Sequence, residues 1–368
     1  MTHFSAIRDA LNAYAQVDPN YSAQLAVYVG GEQVVDLTVG DGMQPDSLLP
    51  VFSSSKGVAA VVIGLLVERG QLDLDERVAT YWPEFAANGK ADITVRVLLS
   101  HQAGLVGVDG GFTSEEYQEH TALADRLAAQ RPYWQPGSAF LYHGLTIGTL
   151  ADELVRRIDG RRLADVLHED VTVPRGIDVL MGSPEDQDHR VVPFRMPDTD
   201  TMAAALAEAP YDPDGITTRS MPRGGALTTI ASINEIPFRR AGAPAAGVFS
   251  NARGLARLYA ALQHDLGAPR LWSDETTAVM SQTQAYGLEL DTGLVARFAI
   301  IFQVPMAQRW SFGSFRAFGH DGAGGSLAFC DPHYDLAFGY TVQQMPWPGG
   351  MDPRGVELTR LVRQCLLA

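Results

Sequence analysis

The sequence predicts an α+β fold in which one antiparallel sheet is assembled from both ends of the chain around a helical middle. Three observations predict it. Residues 22–40, SAQLAVYVGGEQVVDLTVG, alternate apolar and polar side chains on both sides of Gly30-Gly31, the pattern of a hairpin closed by a two-residue turn. Alternation returns only near the other end, in ARFAIIFQV (296–304), SLAFCDP (326–332) and DLAFGYTV (335–342). Between them the signals are short helices separated by Pro- and Gly-rich loops, without the strand-helix alternation of a parallel α/β sheet.

In chain order, MTHFSAIRDALNAYAQ has the spacing of an amphipathic helix, and Arg8 and Asp9 interrupt any secretory leader. KGVAAVVIGLLVERGQL (56–72) is apolar on nearly every face, which predicts a buried core helix ended by Gly70. The middle contains the helical segments TALADRLAAQ (121–130), TIGTLADELVRRIDG (146–160) and NARGLARLYAALQHDL (251–266). DPRGVELTRLVRQCLL (352–367) closes the chain as an amphipathic helix. The expected division is a discontinuous α/β domain of residues 1–75 and 283–368, with residues 76–282 as an inserted helical domain with long loops. A site is expected in the groove between the two parts.

The 368 residues, 46% hydrophobic and 19% charged, suffice for a large core. The formal charge of -15 disfavours nucleic-acid or anionic-membrane partners, which are read by clustered Lys and Arg. The two cysteines, Cys330 and Cys365, cannot build a disulfide framework or a metal cluster. The longest apolar run, residues 57–67, is too short to span a bilayer. A cytoplasmic location is expected, with no cofactor and no metal. Asp186, Asp188 and His189 imitate a ligand set but lack its spacing and read as a solvated loop.

The chemistry is concentrated in VFSSSKGVAA (51–60). A helix starting near Ser54 would put Ser53 at its N-terminus, where unpaired N–H groups and the dipole favour negative charge. Lys56, three residues on, shares its face. A lysine taken out of water loses affinity for its proton and becomes a usable base. Capping serines beside a snorkelling lysine are the plain alternative, and Ser54 and Ser55 read as caps. No G-x-S-x-G elbow is present, which disfavours a Ser-His-Asp hydrolase.

FSSSKG (52–57), ITVRVLLSHQAGL (93–105), WQPGSAFLYHGLTIGTLADEL (134–154), AAGVFSNARGLARLYAAL (245–262) and FGHDGAGGSLAFCDP (318–332) together resemble the serine β-lactamase-like esterases, the family VIII carboxylesterases. The resemblance implies the β-lactamase/DD-peptidase-like fold shared with class C β-lactamases, DD-peptidases and the acyltransferase of statin biosynthesis. It implies Ser53 as nucleophile, Lys56 as its partner and Tyr142 standing over the serine, with either Lys56 or Tyr142 taking the serine proton. Contact with the lysine cation would lower the tyrosine's pKa. It further implies an oxyanion hole from the backbone N–H groups of Ser53 and Ala323, with His320 and Gly322 at the substrate; His143, beside Tyr142, reads either as a further substrate-binding residue or as orienting the loop.

Two departures bear on substrate. His320 stands where β-lactamases carry the cation of a K-T-G box, and Gly144 stands where class C enzymes place an amide-reading asparagine. Both favour esters of short to medium acyl chains, as small-molecule substrates, over β-lactams. β-Lactamase activity, acyl transfer and a non-catalytic penicillin-recognising binder are the alternatives. His101 reads as structural, Trp134 as packing the tyrosine loop, and Trp310, Phe312 and Phe315 as an acyl pocket. Gln343-Gln344 stands where relatives often carry an asparagine.

Overall fold

The computed structural model describes residues 4–198, 200–201, 215–221, 232–307 and 309–368. Strands β1 (Ala23–Val29), β2 (Glu32–Val39), β8 (Phe318–Asp321), β9 (Leu327–Asp331) and β10 (Leu336–Val342) form one antiparallel sheet in the order β2-β1-β10-β9-β8. The two ends of the chain meet where β1 pairs with β10, from Ala23 opposite Val342 to Val29 opposite Leu336. Gly30 and Gly31 turn the first hairpin with φ of 58° and 80°, the left-handed pair that a tight hairpin requires. Two small sheets complete the strand set: β3 (Leu49–Pro50), β5 (Val248–Ser250) and β4 (Val179–Met181), and the hairpin of β6 (Ala285–Leu288) with β7 (Val295–Phe298).

Alternation along the strands gives each face of the main sheet its own core. On one side Leu25, Val27, Phe329 and Phe338 pack against helices α1 (Ser5–Val17) and α7 (Pro353–Leu367). On the other, Ala26, Ala328 and Ala337 lie under α2 (Ser54–Glu68) and α5 (Ala252–Ala260). Placed by sequence in the inserted domain, α5 lies against the sheet: its first N–H, at Ala252, donates to Gln24 Oε1 on β1.

Helix α2 is the central element. Val58, Val61, Val62, Ile63 and Leu66 are each fully buried, worth roughly 1.5–3 kcal/mol apiece. That total outweighs the cost of carrying one amine into the interior on the same helix. Helix α4 (Thr146–Asp159) packs on α2, helix α3 (Thr121–Ala129) packs on α4, and all three share one core. α4 ends in Gly160 at φ 87°. Helix α6 (Asp274–Ser281), started by the Ser273 cap, leads into the β6–β7 hairpin.

One expected strand is shorter than its sequence pattern. ARFAIIFQV breaks after Phe298 because Ile301 turns left-handed (φ 64°) and donates its N–H to Leu99 O, so Gln303 returns to pair with Phe298 and Gly319. Among the described residues no helix is long and apolar enough to cross a membrane.

Candidate active site

The N-terminus of α2, the end of β8 and the irregular segment 130–144 converge on a cleft of about 580 Å³. Phe52, immediately before Ser53, is left-handed with φ of 47°, a costly conformation for a bulky residue that over-determined surroundings must hold. Its ring packs on Phe194 with centroids 4.8 Å apart. This corner delivers Ser53 to the start of the helix with its side chain on the cleft wall.

The expected caps do something else. No side chain caps α2; Ser54 Oγ donates to His320 O (3.1 Å) and lies 2.9 Å from Ser326 Oγ, which donates to Val51 O (2.8 Å). Ser55 Oγ accepts the Val248 N–H at 3.0 Å. Both hydroxyls tie α2 to neighbouring strands, because α2 is buried from its first turn and its polar side chains must find partners across the core.

Lys56 is fully buried and donates to Ser53 Oγ and to Ala245 O, each at 3.0 Å. Burial pushes its pKa down to about 7, against a smaller upward pull from the Asp321 carboxylate. The amine is therefore neutral in a substantial fraction of molecules at neutral pH. Tyr142 reaches the same cleft from the irregular segment: it lines the wall together with Ser53, its ring centroid is 5.0 Å from Lys56 Nζ, and its ring stacks on Phe298 (5.8 Å, 10°). The expected lowering of the phenol's pKa is reversed, since burial raises it and dominates the other influences.

Three histidines lie behind this group. His143 donates from Nδ1 to Leu141 O (2.7 Å) and accepts the Leu105 N–H at Nε2 (3.0 Å), which fixes its neutral tautomer. His101 Nδ1 accepts the His143 N–H at 3.1 Å. His320 donates from Nδ1 to Asp321 O (2.7 Å), leaving Nε2 as an acceptor 3.5 Å from the Tyr142 hydroxyl. Burial drives the pKa of His143 down to about 4 and that of His320 to about 3, the latter helped by Lys56. His320 was expected on the substrate wall, and His143 either there or orienting the loop. Both are fully buried, and neither is among the residues lining the cleft.

Gly322 is likewise absent from the lining. A Cβ there would lie 2.3 Å from Val51 O and 2.4 Å from Ser326 Oγ, so glycine permits the β8–β9 turn to sit against the Ser53 corner. That approach brings Ala323 to the cleft beside Ser53. Among the described residues neither the Ser53 nor the Ala323 N–H has a hydrogen-bond acceptor. Trp310 lines the cleft as expected, whereas Phe312 is buried against Phe329 and Phe315 is exposed beside His333. Trp134 holds the tyrosine segment by donating to Gln102 O and Ala139 O. Gln343 donates to Pro193 O, away from the cleft lining, and Asp188 is paired with Arg239 and Arg240.

Sequence reasoning missed Gln303, Arg309, Asp321 and Met351 on the cleft wall. Gln303 donates to Asp321 Oδ1 (2.7 Å) and accepts its N–H (3.0 Å). Burial raises the pKa of this carboxyl. Asp321 lay within the quoted HDG box and was findable there; Arg309 carries no sequence signature.

A serine hydroxyl and a protonated phenol on the cleft wall, a buried lysine of depressed pKa behind the serine, and two backbone N–H groups without acceptors form a constellation suited to acyl transfer through a covalent intermediate. The esterase/β-lactamase LipL of Mycobacterium tuberculosis is 34% identical over 357 residues, covering 92% of this chain and 81% of its own. The solved structure of EstA from Arthrobacter nitroguajacolicus superposes with a TM-score of 0.91 at 39% identity, covering 99% of this chain and 97% of that one. A family VIII carboxylesterase superposes with a TM-score of 0.86 at 34% identity, over 99% and 98%. The Beta-lactamase family pattern matches residues 12–360, taking in the serine corner, the tyrosine segment and the β8–β9 turn alike, and the chain belongs to that family.

Proposed function

We propose that this protein is a serine hydrolase that cleaves small-molecule carboxylic esters of short to medium acyl chains in the cytoplasm. The observation that carries the reading is the buried amine of Lys56, 3.0 Å from the Ser53 oxygen. Similarity to proteins named as esterases supports it.

In this reading neutral Lys56 takes the Ser53 proton as the oxygen attacks the ester carbonyl. The N–H groups of Ser53 and Ala323 stabilise the oxyanion, each donor being worth roughly 3 kcal/mol. As the tetrahedral species collapses, the C–O bond to the alcohol breaks and the departing alkoxide takes the Tyr142 hydroxyl proton. The Lys56 ammonium restores that proton, leaving an acyl-serine and a neutral amine. Water then attacks the acyl-serine with the same groups and frees the carboxylic acid. The pKa values argue for lysine as base and tyrosine as donor, because burial lowers the first and raises the second.

Replacing Ser53 tests the reading. Ser53→Ala should lower p-nitrophenyl butyrate turnover by at least about 1000-fold and abolish labelling by a fluorophosphonate, with mass spectrometry locating the wild-type label at residue 53. Labelling of Ser53→Ala at the wild-type rate would contradict it.

A further inference from the structure

Tyr142 sits in a stretch without helix or strand, so side-chain and loop contacts must fix where its hydroxyl lies. Most of the ties to this stretch come from residues 101–105: Leu141 N–H donates to His101 O, His143 N–H to His101 Nδ1, and Leu105 N–H to His143 Nε2. The tie on Tyr142's own backbone has a different origin. Its N–H donates to Glu289 Oε1 at 3.0 Å, and Glu289 follows directly on β6.

Glu289 is built to stay in place. It is 3% exposed, and its second oxygen accepts from Thr292 Oγ1 (3.0 Å) and from Arg309 Nη1 (2.9 Å). Arg309 is held in turn over the Trp310 ring, 4.7 Å from its centroid, on the cleft wall. The neighbouring Leu290 N–H donates to Phe140 O, so residues 140–142 run alongside the hairpin end. A buried carboxylate with a guanidinium partner and three hydrogen bonds is costly to displace. It sets the position of one backbone atom of the tyrosine relative to the sheet.

We propose that Glu289 is a positioning residue for catalysis, fixing Tyr142 over Ser53 through the Tyr142 N–H, with Arg309 as the counter-charge that holds the carboxylate in place. The proposal rests on the reading of the Tyr142 hydroxyl as a proton donor. Displacing a reacting group by about 1 Å costs up to about 100-fold in rate; Tyr142 and Arg309 also line the cleft, so the dependence of that loss on the phenol, not KM, is the diagnostic readout.

The test is a double-mutant cycle on p-nitrophenyl butyrate, comparing Glu289→Ala, Glu289→Gln, Tyr142→Phe and the Tyr142→Phe/Glu289→Ala pair. Glu289→Ala should lower kcat about 10- to 100-fold. Glu289→Gln, which keeps an acceptor for the Tyr142 N–H but turns its NH2 toward the Thr292 and Arg309 donors, should lose kcat as well, by no more than the alanine enzyme. In the Tyr142→Phe background the alanine substitution should cost nothing more, because the group it positions is gone. An equal loss in both backgrounds would overturn the proposal. Tyr142→Phe at wild-type kcat would instead remove the reading of the phenol, and the proposal with it. Glu289→Met, closer in volume, is the second variant if the alanine enzyme does not fold, with the same expected result.

Discussion

The protein buries two lysines, and the contrast between them separates what burial does from what chemistry needs. Lys56 and Lys90 are both fully inaccessible, both donate to backbone carbonyls, and both lie beside an aromatic ring, Tyr142 at 5.0 Å and Phe85 at 5.4 Å. Burial lowers both pKa values, to about 7 and about 8. Lys90, however, spends its amine on Ala87 O (2.7 Å) and Gln130 O (2.5 Å), clamping the turn of residues 83–89 to the end of α3. Lys56 has one carbonyl and one hydroxyl, and the hydroxyl lines the cleft. A depressed lysine pKa is thus no signature of catalysis by itself. The neighbour that receives the hydrogen bond decides whether the amine is a clamp or a base.

Substitution can break that comparison in graded steps. The largest effect is expected from Lys56→Met, which should lower ester turnover by about 1000-fold or more because no other group accepts the Ser53 proton. Lys90→Met should leave turnover within about twofold and appear only in urea denaturation, where orphaning two buried carbonyls costs about 1–3 kcal/mol. Turnover that fell equally in the two enzymes would erase the distinction. Tyr142→Phe comes next, with kcat down about 100-fold if the phenol hands a proton to the leaving alcohol; a change confined to KM would demote it to a contact with substrate.

The same contrast shows how far the sequence could be read. Helix α2 is legible because its apolar residues leave no polar face, and Ser53 with Lys56 because i, i+3 spacing survives any tertiary arrangement. The first hairpin is legible from Gly30-Gly31 within alternating strands. Tyr142 has no such local signal, since its segment is irregular, and only the resemblance pointed to it. Three-residue strands such as Val179–Met181 are too short to show a period. Glu289, Gln303 and Arg309 matter through partners far away in sequence, a relation that only the folded chain displays. The sequence left His143 between lining the pocket and orienting the loop, and only the folded chain shows its ring, like that of His320, fully buried and hydrogen-bonded to backbone.

The central claim is that the neutral form of Lys56 activates Ser53, and the pH dependence of serine acylation reads it most directly. A lysine with its pKa lowered to about 7 is protonated below that pH and disabled as a base, and free above it. The rate of fluorophosphonate labelling of Ser53 should therefore fall as pH drops through about 7 and level off above about 8, in wild type and in Lys90→Met alike. A labelling rate that stays flat from pH 5 to 9, or that persists unchanged in Lys56→Met, would contradict the account.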